Sequence, residues 1–288
     1  MSFLRHIHAC NAPVDEPFLP WRIGERIYGW VRPAFAERLR AYPEVFDVRG
    51  NAVLTPHPPE RAALEADLQA VAAGLAEQGV VPPLLNEPYP ITAGGRDAAI
   101  ASVDRVMAAY LGLRSFGQHL NGYVREGDGI MMWIARRARD RLIFPGALDN
   151  MVAGGLPHGV ALLDNLLKEC GEEAGMPAEL ARQARPVGAL SYNRVAQRGF
   201  RPDVLYCYDI ELPGDFVPQN TDGEVEEFLL LPIEQVADIV RDTDDFKLNC
   251  NLVIIDFLIR HGLIVPEDPD YLELATGLRT PVGMPVGM

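Results

Sequence analysis

A chain of 288 residues, 48% hydrophobic and 23% charged, holds enough apolar material for two cored units at roughly 100–200 residues each. With 26 basic and 40 acidic residues the net charge is -14, which excludes the broad basic footprint of a nucleic-acid binder, while small anionic substrates stay open because bound metal supplies positive charge locally. Cys10, Cys170, Cys207 and Cys250 are dispersed without a CxxC pair, and no apolar run approaches the roughly 20 residues of a bilayer span, so a reduced, cytoplasmic protein with no membrane partner is expected.

In chain order, an extended apolar segment is expected over 22–31, followed by a helix opening near Pro33, which has no amide to satisfy at a first helical position. Leu64, Leu68, Val71 and Leu75 follow helical spacing and predict a helix between Pro59 and Gln78. A further helix is expected from Asp97 to Leu111. Between them Pro82, Pro83, Pro88, Pro90, Gly94 and Gly95 predict an irregular chain over 81–95. A strand texture then starts, which puts a domain boundary near residue 115. Strands over 118–124 and 129–135, joined by the turn Arg125-Glu126-Gly127-Asp128, form a hairpin. A helix is expected over 160–174, strands near 187–196, 204–212 and 224–231, and helices over 232–240 and 246–261. The closing PVGMPVGM reads as a flexible end. Strands before and after one central helix indicate an α/β (α+β) fold.

The chemistry concentrates between Gly154 and Met176, GGLPHGVALLDNLLKECGEEAGM. Glu169, Glu172 and Glu173 stand at i, i+3 and i+4, which puts three carboxylates on one side of a helix. Leu163, Leu166, Leu167, Cys170 and Ala174 form an apolar stripe turned away from them. Clustered carboxylates repel one another unless a cation sits among them, and hard oxygen ligands suit Mg²⁺ or Mn²⁺ held together with substrate phosphates. An acidic, solvated helix face is the bland alternative; the glycine pair before the helix and Gly175 after it favour a site.

With those glycines in place, the segment resembles the Nudix box, G-x5-E-x7-R-E-U-x-E-E-x-G-U, where U is a bulky apolar residue. Gly154, Glu169, Cys170, Glu172, Glu173, Gly175 and Met176 match, whereas Val160 and Lys168 stand where the box has glutamate and arginine. The runs GQHLNGYV, MMWIARRARDR, FPGALDNMVAGG, DGEVEEFLLLPIEQV and FKLNCNLVIIDFLIRHG, with GWVRPAFAERLRAYPEVF earlier, are similar to the Nudix subfamily whose N-terminal domain is associated with thiamine pyrophosphokinase-related proteins. The resemblance implies a Nudix-type mixed sheet flanked by helices over 116–265, an accessory N-terminal α+β domain over 1–115 and a tail over 266–288. It further implies Mg²⁺ or Mn²⁺ at Glu169, Glu172 and Glu173 with Gly154. The implied reaction is hydrolysis of a small-molecule diphosphate, such as oxidised thiamine diphosphate, to the monophosphate and phosphate. Glu169 is implied as the base, with Glu224 as substitute, because such enzymes take a further ligand or base from a later strand or loop. The box glutamate and arginine brace loop and helix in the family, so Val160 and Lys168 bear on rigidity and rate. They also motivate a second reading, a catalytically weak module that binds a nucleotide or coenzyme. An isomerase of allylic diphosphates would need a protonating cysteine and a histidine set, and neither pattern is present.

Arg136, Arg137, Arg139 and Arg141 form the densest basic group, and Arg137 is the candidate for clamping a terminal phosphate. Gln118, Asn121, Tyr192 and Phe200 are candidates for lining a pocket for a flat heterocycle. The scattered histidines offer no zinc spacing. Trp21, Tyr28 and Trp30 make the N-terminal domain the expected source of substrate specificity, or else pack its core.

Overall fold

Apolar residues at alternate positions in the first part of the chain build a small sheet. The computed structural model, which describes residues 2–13, 15–56, 60–283 and 285, begins with helix α1 (Leu4–Cys10). Strands β1 (Leu19–Ile23) and β2 (Arg26–Val31) follow and fold on each other through Gly24, φ 60°, so the single extended segment expected over 22–31 is a hairpin. Helix α2 (Pro33–Leu39) carries proline in its first turn as expected. Strands β3 (Asp47–Arg49) and β4 (Ala52–Thr55) complete a four-stranded sheet in the order β2-β1-β4-β3, with β1 and β4 parallel. Helix α3 (Arg61–Glu77) lays Leu64, Leu68, Val71 and Leu75 on this core; its expected start at Pro59 lies outside the described residues.

The next stretch corrects two expectations. Strand β5 (Pro88–Ile91) lies inside the run expected to be irregular and pairs antiparallel with β6 (Ala101–Asp104). In place of a helix from Asp97 to Leu111 there are β6 and two short 3-10 turns, Arg96–Ala98 and Arg105–Met107. Asp104 supplies the reason, since its carboxylate accepts the amides of Asn86 and Val106, which ends the strand and caps the turn after it.

The second unit opens with the expected hairpin, β7 (Ser115–Glu126) and β8 (Gly129–Arg137), turning at Gly127 with φ 60°. β8 then diverges from β7. Strand β9 (Leu148–Asn150) pairs with β8, and β10 (Val152–Gly155) pairs with β7, so both lie in the widening gap. After them come α4 (Leu162–Ala174), α5 (Ala178–Ala181), β11 (Arg185–Ala196), β12 (Gly199–Glu211), β13 (Val225–Pro232), α6 (Ile233–Asp242), α7 (Leu248–Arg260) and α8 (Tyr271–Gly277). The strands form a seven-stranded mixed sheet along β11-β12-β7-β8-β13, with β12 parallel to β7. α4 packs over Leu120, Val152, Tyr208 and Ile210. α6 and α7 pack on the opposite face over Tyr123, Met132, Ile134 and Leu205. The result is the expected mixed sheet flanked by helices. Among the described residues no helix is long and apolar enough to cross a membrane.

Helix α1 and the segment after α7 both pack on this second unit, and the segment after α8 also reaches Trp30 and Arg114 of the first. Ile7 and Cys10 of α1 are buried in the same cluster as α7, and the His6 Nε2–H donates to the Val240 carbonyl at 2.6 Å. In the segment expected as a tail, α8 buries Leu274, and beyond it Ser191, Asn193, Arg114 and Trp30 donate to the carbonyls of Thr280, Pro281, Val282 and Gly283. Of the PVGMPVGM end, Met284 and residues 286–288 lie outside the described residues. Ile7→Ala is expected to cost about 2–5 kcal/mol, read as a lower denaturant midpoint. An unchanged midpoint would remove α1 from the core.

Candidate active site

α4 starts after Ala161, whose backbone is extended, and stops at Gly175, φ 60°, where the amide of Gly175 reaches the Gly171 carbonyl and that of Met176 the Cys170 carbonyl. Leu166, Cys170 and Ala174 face the sheet, but Leu163, expected in the same stripe, is 49% exposed. Asn165 is buried instead. Its amide nitrogen donates to Gln118 Oε1 and the Gly155 carbonyl, which satisfies a buried polar group and ties the first turn of α4 to β7 and β10.

The three carboxylates of α4 are not equivalent. Glu169 and Glu173, one turn apart, are turned inward, whereas Glu172 is exposed and held by Lys168 at 2.7 Å; Lys168 also lies 3.4 Å from Glu169. Glu173 is 9% exposed, and its Oε2 accepts the Ala153 amide of β10 at 2.9 Å. Burial pushes its carboxyl up to about 8, against the pull of that amide, with Asp149 and Glu169 adding to the rise. Burial also raises the Glu169 carboxyl, and Glu172 and Glu224 add to it. Gly154 sits against this pair: a Cβ there would stand 2.5 Å from Glu169 Cδ, so only glycine leaves the carboxylate its place. Glu224, just before β13, is paired with Arg141 at 2.8 Å. Gly154, Glu169, Glu173 and Glu224 are therefore brought together, with Glu172 at the rim.

The expected basic group is largely neutralised by acids near β13. Arg136 pairs with Glu227 at 2.6 Å, Arg139 with Glu226 at 3.3 Å, and Arg141 with Glu224. Arg137 turns inward to Asp149 at 3.1 Å. The expected pocket-lining residues are placed elsewhere. Gln118 Nε2 donates to the Leu162 carbonyl, and its Oε1 accepts from Asn165. Asn121 donates to Asp209 and accepts from Asn150. Tyr192 is buried in the core under α7, and Phe200 packs with Phe18 and Trp30. Trp21 is in the core of the first unit, its indole N–H on Thr55 Oγ1. Tyr28 and Trp30 line a separate cavity of about 60 Å³ with Arg114, Pro202 and Gly283.

Sequence reasoning missed the floor of the site. Asp149 of β9, 3% exposed, receives Arg137 Nη1 at 3.1 Å, Lys247 Nζ at 3.0 Å and the Cys250 thiol. Burial would raise the Asp149 carboxyl, yet Lys247 and Arg137, with the Cys250 thiol, hold it below its ordinary value. His119, pushed down to about 4 by burial, is neutral and donates from Nδ1 to Asn150 Oδ1. Ligand atoms of His119, Asp149 and Cys250 lie within 4.8 Å of one another, but two cations already counter the carboxylate, and burial holds the thiol protonated. The cluster is thus a hydrogen-bonded floor under Glu173 rather than a metal centre. An acid within an apolar run, as in GALDNMV, was the available signal.

The site is thus an inward pair of carboxylates on a helix, set against a glycine strand and a charged floor. A domain described as "Domain of unknown function (DUF4743)" matches residues 2–115. Nudix hydrolase 20, chloroplastic, of Arabidopsis thaliana is 41% identical over 293 residues, covering 96% of this chain and 78% of that protein. Nudix hydrolase 24, chloroplastic, of the same plant is 42% identical over 286 residues, with the same coverage of 96% and 78%. The chain belongs to the Nudix hydrolases. Among solved structures, one from Deinococcus radiodurans is 20% identical with a TM-score of 0.41, covering 58% of this chain and 97% of that one. A Nudix domain from Shewanella oneidensis complexed with ADP ribose is 13% identical with a TM-score of 0.40, covering 52% and 89%.

Proposed function

We propose that the chain hydrolyses a thiamine-type diphosphate, such as an oxidised thiamine diphosphate, to the monophosphate and inorganic phosphate, with Mg²⁺ or Mn²⁺. The observation that carries the site is the buried pair Glu169 and Glu173 packed against Gly154, two carboxylates raised by burial with a single lysine at their rim. Oxygen donors in that arrangement fit a hard divalent cation. Glu169 and Glu173 would hold it beside Gly154, with Glu172 at the rim. Bound there, the cation would supply charge that offsets the negative phosphates.

The chain's own residues do the rest. A water oxygen forms the new bond to phosphorus as the bridging P–O bond of the anhydride breaks, the monophosphate leaves, and the water's proton passes to a carboxylate. Glu169 is the proposed base, in keeping with its place as the first carboxylate of the box kept in this chain. Glu224, which adds to the rise of the Glu169 carboxyl, is the substitute. Arg141, paired with Glu224, and Arg137, paired with Asp149, are the proposed cations for the released phosphate, with Lys168 at the rim. We take 116–265 as the catalytic domain, 1–115 as the accessory one and the cytoplasm as the compartment, in keeping with four free, buried cysteines.

The substrate class follows from the motifs flanking the box, and a screen tests it. Phosphate release is measured from thiamine diphosphate, its oxidised analogues, ADP ribose, nucleoside triphosphates and dinucleoside polyphosphates. Thiamine-type diphosphates are expected to give the highest kcat/KM. A clear preference for nucleotides would overturn the substrate and leave the hydrolase.

A further inference from the structure

We propose that Arg96, in the N-terminal domain, is a positioning residue for hydrolysis: it holds the loop between β10 and α4 in shape, and so takes over the bracing that Val160 and Lys168 cannot provide from within the loop and helix. This rests on the diphosphohydrolase reading above, and it deepens that reading by giving the N-terminal domain a mechanical part in turnover.

The loop over 156–161 joins the glycine strand to the carboxylate helix, so its shape sets the distance between Gly154 and Glu169. Among the described residues nothing inside it forms an ion pair. Val160 is half-buried and apolar, and Lys168 is occupied by Glu172 and Glu169 on the outer face of α4. The N-terminal domain supplies the contacts instead. Arg96 Nη2 donates to the Pro157 carbonyl at 2.8 Å and to the Val160 carbonyl at 2.7 Å, bridging the two ends of the bend. The His158 amide donates to the Pro88 carbonyl at 2.7 Å, and Arg61 donates to His158 Nε2 at 2.6 Å. The Tyr89 hydroxyl fills the space beside Gly155, where a Cβ would come within 2.5 Å of it.

Arg96 is the central strut among these contacts. It comes from a single 3-10 turn set by Gly95, and it has no carboxylate partner among the described residues. Among the described residues its buried Nε has no partner, and the hydrogen bonds the guanidinium makes are those from Nη2 to the two loop carbonyls. A guanidinium holds two acceptors in a fixed plane, which a flexible ammonium does less well. Loss of that strut would loosen the loop, and a displacement of about 1 Å at a reacting centre can cost on the order of a hundredfold in rate.

Arg96→Ala is therefore expected to raise hydrogen exchange of the amides over 156–161 by about tenfold or more, leave exchange in β11 and β12 unchanged, and lower kcat by about tenfold to a hundredfold with little change in KM. Arg96→Lys should recover part of the loss. The decisive arm is the same substitution in a Val160→Glu, Lys168→Arg background, where loop and helix gain a carboxylate and a guanidinium fork of their own. There Arg96→Ala should cost less than about threefold. Unchanged exchange over 156–161 overturns the proposal, and so does an equal loss of kcat in both backgrounds, which would put Arg96 on the substrate. If the unaltered chain hydrolysed no diphosphate, the functional reading would fall while the exchange data still decided whether Arg96 holds the loop.

Discussion

Glu173→Gln is expected to lower metal-dependent turnover by on the order of a hundredfold or more and, at the same time, to stabilise the metal-free protein at alkaline pH. Activity falls because a charged oxygen donor next to Gly154 is lost. Stability rises for the opposite reason. The folded-state carboxyl is raised by burial to about 8 from an ordinary 4.5, so between those values the folded state keeps a proton that the unfolded state has released. Its contribution therefore becomes less favourable as pH rises through that window, and the cost, at most a few kcal/mol, is complete above the folded value. Glutamine cannot ionise and removes this slope. Thermal midpoints in chelator from about pH 5 to about pH 9 should show the variant gaining on the parent as pH rises. Parallel curves for the two proteins would mean that Glu173 is not a buried, proton-holding carboxylate.

Asp149→Ala is the second large effect. Asp149 is the buried counter-charge of both Arg137 and Lys247, at 3.1 Å and 3.0 Å, and it accepts the Cys250 thiol. Removing it leaves two cations without compensation in a closed site, and breaking such a pair typically costs about 3–5 kcal/mol. Against a typical domain stability of about 5–15 kcal/mol, that brings the protein close to unfolding, with low soluble yield. Adding Lys247→Met should restore part of the loss, because one of the stranded charges goes with it. If Asp149→Ala unfolds at the parent's denaturant midpoint, the floor under Glu173 is not held together by these charges.

Much of the second domain was legible because its signals are local. Glu169 and Glu173, the stop at Gly175 and the hairpin through Gly127 all follow from spacing or backbone preference within a few residues. Glu172 shared the motif but not the burial, since helical spacing cannot say which side of the carboxylate face meets another element. Gln118 and Asn121 read as polar pocket residues, yet they serve Asn165, Asp209 and Asn150 across the sheet, partners far away in sequence. Asp149, Lys247 and Cys250 stayed hidden for the same reason, with Lys247 98 positions from the aspartate it neutralises. The strand pairing of β5 with β6 was missed because Pro88 and Pro90 argue for irregular chain, although a two-stranded ribbon tolerates them. Nothing local marked Arg96 as a contact of the loop before α4.

The role proposed for the carboxylates of α4 is that of a metal-dependent diphosphohydrolase centre. Its most direct test is ³¹P NMR of a thiamine-type diphosphate incubated with the chelator-treated protein, before and after addition of Mg²⁺, with Glu173→Gln alongside. The expected result is conversion to monophosphate and inorganic phosphate in equal amounts, only with the metal and only by the unaltered chain. Equal conversion in chelator, or by Glu173→Gln, would contradict it.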